Sequence, residues 1–132
     1  MRFLLDTDTC IYALKQDEAV LQNLLAHSPA DVGVSVITEA ELRTGAAKSA
    51  SAAKTLRLLE RFLQPIEIAD FVSADAASYA AIRAKLERAG TPIGPLDTLI
   101  AAQAVARKLT LVSNNQREFR RVPGLRVENW SK

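Results

Sequence analysis

At 132 residues the chain is long enough for one domain, spanning 1–132, with a core of its own. It is 48% hydrophobic and 24% charged with a net charge of +2, an ordinary soluble balance that does not by itself imply a nucleic-acid partner. A lone Cys10 excludes a disulfide framework or a multi-cysteine metal site and suits a reducing cytoplasm, and no apolar run approaches the roughly 18 residues of a membrane span.

Phe3-Leu4-Leu5 runs straight into Asp6, with Asp8 one residue beyond. This pattern predicts a short buried strand that delivers a carboxylate at the carboxyl edge of a parallel sheet, where open α/β folds place their ligands. The same run is too short for a secretory signal. Helices are expected over Thr9–Leu14, capped by Thr9 or Asp8, and over Asp17–His27, where Val20, Leu21, Leu24 and Leu25 fall at helical spacing. Ser28, Pro29 and Asp31 predict a loop. Val32–Ile37 is β-branched and free of charge, so it predicts a second buried strand.

A helix follows over Thr38–Lys48, with Thr38 and Glu41 at capping-box spacing. Lys48–Ala53 predicts a bend. Lys54–Leu63 is amphipathic through Leu56, Leu59, Phe62 and Leu63. Ile66–Ile68 predicts a brief edge strand, and Ser73–Ala89 the longest helix, with Tyr79, Ile82 and Leu86 inward and Gly90 past its end. After the loop Thr91–Pro95, a helix apolar nearly all round runs from Pro95 to about Arg107. Leu109–Val112 predicts a fourth strand, and Leu125–Glu128 a fifth at an edge. Strands alternating with helices predict an α/β fold with a parallel sheet of four to five strands.

Three acids occupy equivalent places in that plan. Asp6 ends the first strand, Glu41 lies in the early turns of the helix after the second, and Asp97 lies in the first turn of the buried helix. In a right-handed parallel sheet such positions share one rim. Asn115 and Glu118 follow the fourth strand and can supply a fourth ligand. Clustered carboxylates repel one another, a conflict that a divalent cation removes. Oxygen donors without histidine or cysteine favour Mg²⁺ or Mn²⁺ over zinc, and such an ion activates water for attack on a phosphoryl centre. Each acid also has a plainer reading: Asp6 as a helix cap, Thr38 and Glu41 as a capping box, and Asp97 as a favourable charge at a helix start. Arg117, Arg120, Arg121 and Arg126 predict a solvated face, or phosphate contacts beside Asn115 and Glu118. His27 is expected to be an ordinary surface residue.

The order and spacing of Leu5-Asp6-Thr7, Ala40-Glu41-Leu42 with Gly45, Ile93-Gly94-Pro95 before Asp97, Leu99-Ile100-Ala101, Asn114-Asn115, Glu118-Phe119, Arg121-Val122-Pro123-Gly124-Leu125 and Glu128-Asn129-Trp130 resemble one family. The chain resembles the PIN-domain ribonucleases over essentially its whole length, and among them the VapC toxins of bacterial VapBC toxin–antitoxin pairs. The resemblance implies a metal-dependent endoribonuclease that cleaves structured RNA, commonly tRNA, leaves a 3′-hydroxyl and a 5′-phosphate, and is silenced by a VapB-type antitoxin. It places the metal-binding acids on Asp6, Glu41 and Asp97. The family's fourth aspartate falls on Asn115, with Glu118 supplementing the site, and Asp8 stands where the family usually has asparagine.

Two other readings fit parts of the chain. Asp6-Thr7-Asp8-Thr9 matches the opening motif of haloacid-dehalogenase phosphatases, but their late paired-acid motif and lysine are missing. A PIN scaffold that binds RNA or protein without cutting is the second, and the intact acids argue against it. Apolar residues around Leu21, Leu24 and Leu25 and around Leu56 and Leu59 exceed what one core needs, which predicts a homodimer and a groove for an antitoxin helix.

Overall fold

Phe3–Leu5 forms β1 at the centre of the sheet, and its three residues divide the core between two faces. Phe3 and Leu5 point to one side with Val32, Val34, Leu42, Leu59 and Val112, while Leu4 points to the other with Ile82, Ile100, Leu111 and Phe119. That is the two-residue period of a strand buried on both faces. The computed structural model describes residues 1–131.

The remaining elements follow as α1 (Thr7–Leu14), α2 (Glu18–Leu25), a single 3₁₀ turn at Pro29–Asp31, β2 (Val32–Ser35), α3 (Val36–Lys48), α4 (Ala52–Leu63), β3 (Glu67–Ala69), α5 (Ser73–Arg88), α6 (Pro95–Ala106), β4 (Thr110–Val112), α7 (Gln116–Phe119) and β5 (Arg126–Glu128). All five strands are parallel, in the order β3-β2-β1-β4-β5. The expected α/β sheet is therefore present with its fifth strand. From β1 the chain builds outward through β2 and β3, then crosses back to lay β4 against the other side of β1. That reversal creates a crevice at the carboxyl ends of β1 and β4.

The second strand is shorter than its β-branched composition suggests. Ser35 accepts a hydrogen bond from Ile37 N at 3.0 Å and caps α3, so Val36 and Ile37 are helical. The cap outweighs β propensity, which is a preference for a half-buried pleated surface and not a backbone rule. Thr38 is consequently not a cap but a buried residue inside α3, and Glu41 lies in its second turn. Asp6 caps α1, accepting from Thr9 N at 2.8 Å, so that helix starts two residues earlier than expected.

Gly90 ends α5 at φ 71°, a conformation that favours glycine. Gly33 is tightly enclosed: a Cβ there would displace the Met1 side chain and stand 3.0 Å from Glu67 O on the neighbouring strand. His27 is not a bare surface residue, since its ring stacks on Trp130 with centroids 4.9 Å apart and planes 6° from parallel. Among the described residues no helix is long and apolar enough to cross a membrane.

Candidate active site

The parallel register aligns Leu5 with Val34 on one side and Val112 on the other, so Asp6 emerges from the sheet between Ser35 and Ser113. Its N–H donates to Val112 O at 3.0 Å, and Thr9 Oγ1 donates to the same carbonyl at 3.0 Å, which pins the start of α1 over β4. Asp6 is only 3% exposed. Burial raises its carboxyl above the usual aspartate range, against hydrogen bonds from the Ser113 side chain and from Thr9 that favour the charged form. The capping role weighed for Asp6 is real, and it coexists with a place at the crevice.

Asp97 occupies the first turn of α6, whose start is fixed by Gly94 and Pro95 and by Thr98 Oγ1 donating to Gly94 O at 2.8 Å. Its carboxyl is pushed up to about 6, first by burial and then by repulsion from Asp6, Glu118, Glu41 and Asp8 in that order. Four carboxylates from three separate parts of the chain therefore act on one. Glu41 reaches the site from α3, where its Oε1 accepts from Thr7 Oγ1 at 2.7 Å. Glu118 reaches it from the single turn of α7, where its Oε2 accepts from Asn115 Nδ2 at 2.9 Å. Asn115 thus spends its amide nitrogen orienting Glu118. Asp8 is exposed on the first turn of α1 and is the weakest of the four influences on Asp97. Cys10 is fully buried, with its thiol held well above the usual range by desolvation and by Asp6, so it is no nucleophile.

The chain matches the PIN domain model over residues 3–125. It belongs to the PIN-domain family. Within that family it is 39% identical to the tRNA(fMet)-specific endonuclease VapC of Salmonella typhimurium, over 98% of both chains. It is 40% identical to ribonuclease VapC2 of Rickettsia felis over the full length of each. Its fold superposes on the toxin chain of the DNA-bound VapBC complex from Salmonella typhimurium with a TM-score of 0.95 at 40% identity, covering 98% of both chains. For VapBC2 of Rickettsia felis bound to a promoter DNA fragment the TM-score is 0.93 at 38% identity, covering 98% of this chain and 99% of that one. These are full-length matches to VapC ribonucleases, and the chain is a PIN-domain ribonuclease of that branch. The phosphatase motif at Asp6-Thr7-Asp8-Thr9 is a coincidence of spelling, because the chain matches the PIN domain model over residues 3–125 and superposes on VapBC structures over nearly its full length.

The arginines divide. Arg121 donates to Pro92 O at 3.1 Å, holding the loop that leads into α6. Arg126 starts β5 beside Thr110, at the opposite edge of the sheet from the acids, and donates to Lys108 O. It is not a phosphate contact for this site. Arg117 and Arg120 are exposed on α7 and form no ion pair among the described residues.

Several supporting residues escaped the sequence reading. Ser113 favours the charged form of Asp6, and Thr7 bridges Glu41 and Thr38. Thr38 and Glu41 are one turn apart on α3, a spacing that places them on one face, so that pairing was available from the sequence. The approach of Thr7 and Ser113 to the acids depends on which strands are neighbours.

The family implies a divalent metal, and the donor set fits one. The acids around Asp97 offer only oxygen, and their mutual repulsion is what a cation relieves. Among the described residues no three acidic, histidine or cysteine side chains already close on one point.

Proposed function

We propose that this ribonuclease is the toxin of a toxin–antitoxin pair that hydrolyses a phosphodiester in structured RNA, with tRNA as substrate class and Mg²⁺, or Mn²⁺ in its place, as cofactor. The observation that carries the reading is the convergence of Asp6, Glu41 and Glu118 on Asp97 at the β1–β4 crevice. Asp6, Glu41 and Asp97 hold the ion, and Glu118, steadied by Asn115, completes the acidic wall, with the Asn115 carbonyl oxygen available as a further donor. When bound, the ion supplies the charge that activates a water and stabilises the phosphoryl group during in-line displacement. Asp6 is held by Thr9 N, and Glu41 by Thr7, so little reorganisation is needed as charge builds on the phosphate. His27 takes no part, being stacked on Trp130 beyond α2.

The tRNA assignment is supported by the Salmonella relative, whose name specifies tRNA(fMet). The antitoxin is supported by the VapBC complexes that share this fold. Its seat is a cavity of about 410 Å³ between α1, α3 and α4, lined by Ile11, Leu14, Leu42, Ala46, Leu58 and Leu59, with Glu41 at its rim. An apolar helix lying there brings a basic side chain to the acids. Of the apolar excess expected around Leu56 and Leu59, Leu59 is buried in the core beneath this cavity, while Leu58 is exposed. Leu25 at 87% exposed and Leu56 at 37% are the apolar surface offered to a second copy. Incubating the purified chain with total tRNA in Mg²⁺ and in EDTA, then sequencing the 5′ ends of the fragments, tests the reading. Metal-independent binding without cleavage overturns it.

A further inference from the structure

Glu41 carries three rotatable bonds and sits at a half-buried rim, yet one of its oxygens is already committed. Thr7 Oγ1 lies 2.7 Å from Glu41 Oε1 and 3.2 Å from Thr38 Oγ1. A hydroxyl has one proton and two lone pairs, and an ionised carboxylate only accepts. Thr7 is the donor at both contacts, and its single proton goes to the shorter one, to Glu41. The buried Thr38 hydroxyl is the weaker, competing acceptor for that proton. The 2.7 Å bond has the short length of a charge-assisted O–H to carboxylate contact.

These two contacts of Thr7 join the starts of two helices. Thr7 follows Asp6 directly on α1, and Thr38 stands one turn before Glu41 on α3. Glu41 Oε2 has no hydrogen-bond partner among the described residues, and it is the oxygen left for a ligand.

We propose that Thr7 is a positioning residue that holds the Glu41 carboxylate through Oε1 and so leaves Oε2 for the ion. The proposal rests on the reading of the acids as a metal site. Threonine suits the task because its branched Cβ restricts χ1 more than serine's does. Groups that hydrogen-bond to metal ligands commonly alter affinity by about 10–100-fold when removed.

The test is Mn²⁺ binding to the EDTA-stripped full chain by isothermal titration calorimetry. The proteins compared are the wild type, Thr7→Val, Thr7→Ser, Thr38→Val, Glu41→Ala and the Thr7→Val/Glu41→Ala double variant. Thr7→Val is expected to raise Kd about 10-fold with its melting temperature nearly unchanged, and Thr7→Ser to recover most of that loss. Thr38→Val removes only the competing acceptor, keeps the Thr7 proton on Glu41 and is expected to leave binding unchanged. Once Glu41 is alanine, adding Thr7→Val should cost nothing further. Wild-type affinity in Thr7→Val overturns the proposal, as does an equal loss with and without Glu41. If Thr7→Val does not fold, Thr7→Ala takes its place, and wild-type affinity in that variant overturns the proposal. Failure of the wild type itself to bind Mn²⁺ overturns the metal site and this proposal with it, whereas an insensitive Thr7→Val beside a binding wild type overturns this proposal alone.

Discussion

Asp6 acts on Asp97 more strongly than the other three carboxylates around it, although the two are separated by most of the chain. One ends β1 and the other begins α6, and the crossover that lays β4 beside β1 brings them to the same crevice. Without a cation, this proximity is a standing electrostatic cost to the fold.

That cost has a pH signature. The Asp97 carboxyl keeps its proton up to about 6 in the folded chain, whereas an unfolded aspartate releases it near 4. Between those values the folded state binds more protons, so this stabilisation is complete below about pH 4 and is lost as pH rises through about 6. Asp97→Asn abolishes the dependence. In EDTA at pH 7.5 the variant is expected to be the more stable by about 1–2 kcal/mol, allowing for solvent screening, and the advantage should vanish near pH 4. Thermal melts of both proteins from pH 4 to 8 check this, and a pH-independent difference would contradict the assignment. Cleavage by the same variant should fall by at least about 100-fold, since a ligand to the ion is lost.

Asp6 has two duties that a pair of substitutions separates. Asparagine retains an oxygen to accept from Thr9 N and still caps α1, but it carries no charge. Asp6→Asn should therefore melt within about 1 kcal/mol of the wild type and lose cleavage, while Asp6→Ala should lose both cleavage and stability. Saturating Mg²⁺ should stabilise the wild type by about 2–3 kcal/mol at 100 times Kd and leave Asp6→Asn unmoved. An equal Mg²⁺ shift in both proteins would place the ion elsewhere.

The elements that carry the site were legible for a specific reason. Phe3-Leu4-Leu5 before Asp6, and Gly94-Pro95 before Asp97, are local patterns in which burial, capping and chain direction agree. The boundary at Ser35 was not, because a serine cap and two β-branched residues point to different structures and only tertiary packing decides between them. Asp75 was invisible as well. It is 1% exposed on α5, accepts from Val72 N at 2.9 Å and pairs with Arg107 at the end of α6, 32 positions away. A contact of that kind has no periodicity to read.

Gly45 tests the proposed antitoxin groove. It lies within α3, where glycine costs about 0.5–1 kcal/mol relative to alanine, yet a Cβ there would meet no atom within 4 Å. It lines the apolar groove beside Leu42 and Ala46. Nothing among the described residues requires it, which suits the close approach of a partner helix in the proposed groove. Gly45→Ala should raise the melting temperature of the free toxin by about 2–6 °C. Gly45→Leu should weaken capture of the cognate antitoxin by at least about 10-fold while the free protein still cleaves, as titration calorimetry and a cleavage assay would report. Wild-type affinity in Gly45→Leu would move the antitoxin off this groove.

The Asp75–Arg107 pair tests what holds α5 and α6 together behind the site. Arg107 Nη2 stands 2.9 Å from Asp75 Oδ2 and also donates to Asp70 O, while Gln103 Nε2 donates to Ala69 O at 3.2 Å and to Asp70 O at 3.1 Å. Asp75 Oδ1 and Gln103 Oε1 are buried without a protein partner, so the network has little slack. Arg107→Ala leaves a buried carboxylate without its cation and should cost about 3–5 kcal/mol. Asp75→Asn keeps an acceptor for Val72 N, removes the buried charge and should cost closer to about 1 kcal/mol. Because α6 carries Asp97 at its other end, Arg107→Ala should also reduce cleavage through displacement of that acid. Urea unfolding of the two variants gives the ranking, and an Arg107→Ala variant as stable as Asp75→Asn would mean that the pair contributes nothing beyond its hydrogen bonds.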